Sequence, residues 1–405
     1  VLPQDILSAI MASMTFPHPN IPKLLLFALF QSLTFYPAFE KVYFQENGLS
    51  ILQIVSITII FSIFVVILEV PSGALSDRWV RKYVLFLSVV FAMLTALVFA
   101  ISSSFWMFAF GTVLMACSFV LNSGTNTALL FDSLKDINKT KVFEKYLAAR
   151  RIISGAAFAI ASLAGGYVAQ QHNIQTAIWV SFFMLIPAAF LTLSLKEPTF
   201  HKTTGELSYW QHVRYTATHL TGRPYFVQVA ALSVVIMTVN ILIEDYAQLY
   251  YYFLGFSLLA IGVLSFFEGV KEMIGNYIGA RITQTKHTSY LYGYLLIGMS
   301  TTLLITAWQV NIIGVLGLFA ASVIFFIIDV PLLSNFHKNL DSNIRATSES
   351  FLNLVTELSK MLIALGFAAV ANIYSINLAF GSLGLLVAVY TVYYFSVSLK
   401  IIREA

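Results

Sequence analysis

Long apolar runs alternate with short polar gaps along almost the whole chain. A helix that crosses a bilayer needs roughly 20 apolar residues at a rise of about 1.5 Å each. On that measure the pattern predicts twelve transmembrane helices: Ile21–Gln45, Ile51–Leu75, Tyr83–Ile101, Phe105–Phe131, Phe143–Ala169, Gln175–Leu195, Tyr225–Leu254, Ser257–Ile282, Tyr290–Gln309, Asn311–Asn335, Ala346–Asn372 and Ile376–Lys400. Gaps such as Ser102–Ser104 and Glu46–Gly48 leave room only for tight hairpins, so consecutive helices run antiparallel. The expected class is an all-α polytopic membrane protein.

The basic residues orient this array. The connections after helices 2, 4, 6, 8 and 10 carry Lys and Arg, among them Arg78, Arg81, Lys82, Lys135, Lys196, Lys286 and Lys338. The connections after helices 1, 3, 5, 7, 9 and 11 carry none. Basic loops stay on the cytoplasmic side, so both termini are expected in the cytoplasm. The organisation that follows is a cytoplasmic N-terminal segment over 1–20, a six-helix bundle over 21–195, an inter-bundle loop over 196–223, a second bundle over 224–400 and a tail over 401–405. Residues 1–20 lack the basic and apolar regions of a secretory signal. Within the inter-bundle loop, Trp210, Val213, Ala217 and Leu220 fall at helical spacing. That stretch is either an interfacial helix on the inner leaflet or a flexible tether.

Composition removes the soluble alternative. Apolar residues make up 59% and charged residues 10% of 405, and the mean hydropathy is +0.82; a soluble fold of this size cannot hide that much apolar surface. The net charge of +4 comes from loop bases and implies no nucleic acid. The single cysteine, Cys117, excludes an internal disulfide and sits as a small packing residue in an apolar run. The halves also echo each other: a shift of about 203 residues carries Phe64 to Phe267, Glu69 to Glu272 and Arg78 to Arg281, and brings Glu40 within a residue of Glu244. The turn after helix 1, ending Gly48-Leu-Ser50, is similar to Gly255-Phe-Ser257.

Ionisable groups inside the hydrocarbon cost roughly 2.5–3.5 kcal/mol even on the lenient insertion scale, so each must face a cavity or a partner. Glu244 and Asp245 on helix 7 and Glu268 on helix 8 lie about 16 Å deep by the helical rise. Glu268, Lys271 and Glu272 share a face at i, i+3 and i+4. Lys271 can neutralise one of the two acids, and the spare carboxylate is a candidate proton carrier. Asp245 and Gln248 point to a ligand cavity, whereas Tyr251 and Tyr252 suit the outer aromatic belt. Glu40, beside Pro37 and Lys41, is either a ligand contact or half of an outer-gate ion pair. Glu357 and Lys360 form an i, i+3 pair. Glu69 and Asp329, each followed by Val-Pro, sit near the cytoplasmic ends of helices 2 and 10 as inner-gate elements. Arg150 and Arg151 on helix 5 reach either lipid phosphate or the acids Asp132 and Glu144.

The connection Gly73-Ala-Leu-Ser-Asp77-Arg78-Trp-Val-Arg81-Lys82 resembles the loop between helices 2 and 3 of the major facilitator superfamily of secondary transporters. Val80 stands where that signature has a glycine. The segment from Asn122 to Lys135 and the stretch from Arg345 to Ser350 are similar to bacterial efflux-type members. Small residues remain on helix 5 at Ala157, Ala161, Ser162, Gly165 and Gly166, but the proline of the antiporter signature is missing, as is an arginine inside helix 4. The resemblance implies twelve helices in two six-helix bundles related by a pseudo-two-fold axis, with the substrate site between them. It also implies a cytoplasmic latch of Gly73, Asp77, Arg78 and Arg81, with Asp132 as the acid that meets the latch arginine.

The reading that follows is a secondary active transporter, not an enzyme, working by alternating access as a monomer in a bacterial inner membrane. It exports a small amphipathic organic molecule in exchange for protons and uses no cofactor and no metal. The competing reading is a proton-coupled uptake symporter for a nutrient or a metal chelate such as a siderophore. The histidines are scattered and no Walker loop is present. Acids at Glu40, Glu244, Asp245, Glu268, Glu272 and Glu357, set against Lys271 and Lys360 as midplane bases, lean towards a cationic or neutral ligand.

Overall fold

The computed structural model describes residues 16–198, 223–282, 288–338 and 345–404; residues 1–15 and the stretch holding Trp210 to Leu220 lie outside the described residues. The described chain is helical throughout, with no strand. Ten of the twelve expected spans form as single helices near their predicted bounds. Span 2 covers Ile51–Arg78, span 3 Arg81–Ile101, span 4 Phe105–Lys135, span 5 Phe143–Gln171 and span 6 Ile174–Leu193. In the second half, span 7 covers Pro224–Phe253, span 9 Thr288–Trp308, span 10 Ile312–Lys338, span 11 Arg345–Ile373 and span 12 Ile376–Tyr393, which runs on through a wider turn at Tyr394–Ser398 to Glu404.

Spans 1 and 8 are interrupted, which the hydropathy pattern did not reveal. Span 1 is helical over Asn20–Ser32, opens at residues 33–36, and resumes through a tight turn at Pro37–Phe39 into Glu40–Glu46. Pro37 has no N–H to continue the ladder and crowds the preceding turn. The freed backbone finds partners: the Phe35 N–H donates to Ser181 Oγ of span 6 at 2.8 Å. The Phe35 carbonyl lies where a side chain at position 165 would start, 2.0 Å from an ideal Cβ, so only glycine lets the opened segment dock on span 5. Span 8 divides at Phe267 into Leu258–Phe266 and Glu268–Ile282. Among the described residues eleven spans are long and apolar enough to cross a membrane; span 8, shortened by its break and loaded with Glu268, Lys271 and Glu272, is not among them.

The packing is a repeat. Span 1 lies against spans 4, 5 and 6, span 2 against 4, span 3 against 4 and 6, and span 5 against 6. Every one of these pairs recurs six spans later: 7 against 10, 11 and 12, 8 against 10, 9 against 10 and 12, and 11 against 12. The two bundles join along seams that the same operation exchanges, span 2 on 11 and span 5 on 8. The sequence register of the repeat is 207 residues at the turn before spans 2 and 8, not about 203. Gly48 and Gly255 hold φ of 85° and 80°, and Ser50 and Ser257 both cap the following helix through their side chains. Glu69 and Glu272 are therefore not equivalent positions.

Basic residues at Arg81, Lys135 and Lys196 mark one end of the bundles, here called the basic end. Seam 5–8 is tight only towards the opposite end. An ideal Cβ on Gly262 would fall 2.4 Å from the Ser162 carbonyl, and one on Gly166 2.9 Å from that of Leu258. Small residues of this kind let membrane helices approach backbone to backbone. Beyond Phe267, span 8 turns to span 10, where Gly275 and Gly279 are buried against Phe326 and Ile327. Gly155 and Gly269, further along the two facing helices, have nothing within 4 Å of a would-be Cβ.

Gly165→Val should lower the thermal unfolding midpoint of the purified protein, because the added side chain meets backbone and overpacking costs about 1–3 kcal/mol. Gly366→Ala, at a helical glycine with open space around it, should leave the midpoint unchanged or raise it by helix propensity worth up to about 1 kcal/mol.

Candidate functional site

The ionisable side chains of the interior gather where the two bundles face each other. Glu40 and Lys41 follow the opened stretch of span 1, both buried at 8% exposure, and pair at 2.9 Å. The Lys41 N–H donates to Gln248 Oε1 of span 7 at 2.9 Å, across the bundle boundary. Three further contacts tie the bundles at this end: Gln248 Nε2 approaches the Pro37 carbonyl at 3.4 Å, Tyr252 Oη meets Glu46 at 3.2 Å, and the Leu258 N–H donates to Gln170 Oε1 at 3.1 Å. Glu40 thus has an ion-pair partner in its sequence neighbour Lys41. Gln248 is a strut between bundles. Tyr251 is buried within the second bundle rather than standing in an aromatic belt; Tyr252 is more exposed.

Glu244 and Asp245 are neighbours on span 7 but belong to different groups. Glu357 and Lys360 of span 11 pair at 2.6 Å, and Lys41 and Lys360 both act on Asp245 through space. That group has three acids, Glu40, Asp245 and Glu357, for two bases. In the second group Lys271, buried, pairs with Glu268. Glu244 accepts a hydrogen bond from Asn240 Nδ2 at 2.8 Å and feels the charges of Glu268 and Lys271. It is exposed despite its depth, and its neighbours all belong to the second bundle. Among the described residues Glu244 and Asp245 make no ion pair. The spare carboxylates of the two groups are therefore adjacent in sequence. Glu272, exposed, faces a cavity of about 590 Å³ shared with spans 1, 4 and 5.

At the basic end Arg81 forms an ion pair with Asp132 of span 4. Arg150 bonds Thr127 Oγ1 at 3.2 Å instead of Asp132 or Glu144, and together with Arg151 lines the cavity that Glu272 faces. Among the described residues neither arginine forms an ion pair with Asp132 or Glu144. Val80, which precedes span 3, gives that helix no side-chain cap. Glu197, just past span 6, supplies one: its two oxygens accept from the N–H groups of Arg81 and Lys82 at 2.8 and 3.2 Å. A carboxylate there satisfies orphan donors and complements the helix dipole. Asn20 bridges Ser133 Oγ at 2.8 Å and the Lys196 carbonyl at 2.7 Å. Sequence reasoning missed Glu197 and Asn20; Glu197 stands in a connection, where charge patterning counts it as solvated. Of Gly73, Asp77 and Arg78 only the helical backbone is described, so the latch assigned to their side chains lies outside the described residues. Glu69 is exposed with no ion pair among the described residues, and Asp329 is half-buried within reach of Tyr292; the structure does not bring these two together.

The Major Facilitator Superfamily profile matches residues 24–364. The chain belongs to that superfamily, a class of membrane transporters. Its fold is similar to that of nucleoside transporter NupG (TM-score 0.71, 12% identity, covering 96% of this chain and 100% of that one). It is also similar to a bacterial homologue of the human lysosomal transporter Spinster in an inward-facing, occupied conformation (0.74, 12%, 94% and 97%). A third similar structure is peptide transporter POT in complex with sulfate (0.72, 11%, 95% and 95%). No curated protein matches the chain by sequence. The chain is a multi-pass membrane transporter, not an enzyme.

A double-mutant cycle on Arg81→Ala and Asp132→Ala should return a coupling of about 1–3 kcal/mol in unfolding free energy, the range for contacting partly buried charges. Coupling within error of zero would show the pair to be a solvated contact.

Proposed function

We propose that this protein is a proton-coupled exporter of a small amphipathic organic molecule, working by alternating access as a monomer in a bacterial inner membrane. The observation that carries the reading is the pair of neighbouring spare carboxylates, Glu244 and Asp245, between bundles that part towards the basic end. Lys271 is committed to Glu268, and Lys41 and Lys360 to Glu40 and Glu357. A carboxylate at membrane depth without a fixed counter-charge can take up a proton in one state and release it in another. The basic loops support placing that end, and both termini, on the cytoplasmic side. On this assignment the conformation is inward-open: Glu40, Lys41 and Gln248 are parts of a closed outer gate, while Arg81, Asp132 and Glu197 brace the inner rim of the first bundle.

The seam between spans 5 and 8 supplies the inner gate. These helices run antiparallel, with Ser162 against Gly262. Gly155 precedes Ser162 by seven residues and Gly269 follows Gly262 by seven, about two turns on each helix. Closing the seam towards the cytoplasm therefore brings Gly155 onto Gly269 and Glu272 alongside Ile152, next to Arg151.

Two measurements test this. In proteoliposomes with an imposed pH gradient, Glu244→Gln, Asp245→Asn and Glu268→Gln should reduce gradient-driven flux of a transported ligand by tenfold or more, about 1.4 kcal/mol or above. No gradient-driven flux for any ligand, or flux indifferent to all three substitutions, would sink proton coupling; the direction of net movement separates export from uptake. In a Cys117→Ser background, Gly155→Cys with Gly269→Cys should cross-link only in the outward-open state and arrest transport reversibly. Cross-linking at an equal rate in every state would remove this seam from the gate.

A further inference from the structure

The cavity between the bundles is most polar on the wall formed by spans 4 and 5. Asn122, Asn126, Arg150 and Arg151 stand there, with Glu272 of span 8 on the facing wall. Arg150 gives one Nη to Thr127. Its other Nη is buried without a hydrogen-bond partner, and so is Oδ1 of Asn126. Arg151 is exposed and, among the described residues, makes no hydrogen bond. Neither arginine is neutralised by an acid: Asp132 is held by Arg81, and among the described residues no ion pair joins Glu144 or Glu272 to them. Arg151 also bears directly on the charge of Arg150.

Two adjacent guanidinium groups inside a membrane-embedded cavity are unfavourable until a counter-charge arrives. A guanidinium presents a planar fork of donors that matches a carboxylate or phosphate bidentately. The unfilled acceptor of Asn126 suits a donor group close to that anion. We propose that Arg150 and Arg151 form the anion subsite of this transporter, and that its substrate is a small organic anion. Its carboxylate or phosphate lies on the two arginines, and a neighbouring hydroxyl or N–H donates to Asn126. The proposal rests on the transporter reading above and names its substrate class. It departs from the lean towards a cationic or neutral ligand, which counts the acids of spans 1, 7, 8 and 11 and leaves these arginines to lipid phosphate or to Asp132 and Glu144.

The test is a binding titration of the full chain in phosphatidylcholine nanodiscs. The probes are benzoate and phenyl phosphate, with benzyl alcohol and benzylamine as matched controls. At least one anion should bind about tenfold or more tightly than both controls, a difference of about 1.4 kcal/mol. Arg151→Gln and Arg150→Gln should each weaken anion binding about tenfold or more, and Arg150→Lys less. Glu272→Gln, which removes a like charge from the facing wall, should strengthen it about threefold, an increase that a misfolded variant would not give. Equal binding of anions and controls overturns the subsite. So does unchanged anion binding in Arg151→Gln, whose side chain makes no hydrogen bond within the described protein. Repeating the titration with phosphatidylglycerol present separates the two sources of such a group: competition marks a lipid headgroup, and indifference a soluble anion. If anions bind but no pH gradient drives flux, the transport reading fails and the subsite stands; gradient-driven flux of a cation without anion binding reverses that outcome.

Discussion

The contact on which the architecture depends is backbone against backbone, where Ser162 and Gly166 of span 5 meet Gly262 and Leu258 of span 8. In a bilayer, apolar side chains gain little by leaving lipid for another helix, so close approach of small residues must hold separate bundles together. The seam is tight at one end and open at Gly155 and Gly269. That single asymmetry creates a space between bundles, and the space accounts for ionisable side chains that lipid could not accept. Arg150, Arg151 and Glu272 line its cavity.

The interruption of span 1 extends the same principle. Opened backbone at membrane depth survives only where protein supplies its hydrogen bonds. Ser181 takes the Phe35 N–H and Gly165 makes room for its carbonyl. Beyond the break, Glu40 and Lys41 enter the bundle boundary, where the Lys41 N–H reaches Gln248. The break therefore converts a membrane helix into a short arm that crosses between bundles.

Much of this was legible in the sequence. Twelve spans, their order and the charged positions at depth follow from hydropathy, because the bilayer sets helix length and penalises charge. Lys271 was expected to neutralise one acid, and it pairs with Glu268. The breaks in spans 1 and 8 were not legible: Pro37 marks a weak point without saying whether a neighbour will satisfy the freed groups, and nothing in Phe266-Phe267 signals an interruption. Acids matched to acids give an offset of about 203, whereas the structural equivalence lies in the positive-φ glycines and capping serines at 207, which the similar turn sequences also carry. That Arg150 and Arg151 line a cavity was not legible either, because the sequence cannot say which side of a helix faces one.

At the basic end of the first bundle, the polar contacts close on themselves. Asn20 joins span 1 to Ser133 of span 4, Asp132 joins span 4 to Arg81 of span 3, Glu197 joins span 3 to the end of span 6, and Lys196 returns to Asn20. This is a hoop around four helices. A load applied to any one of them is shared by all, so the rim resists ovalling and a push at its edge turns the bundle as a whole. Such a hoop makes the first bundle a stiff lever and confines compliance to the seams.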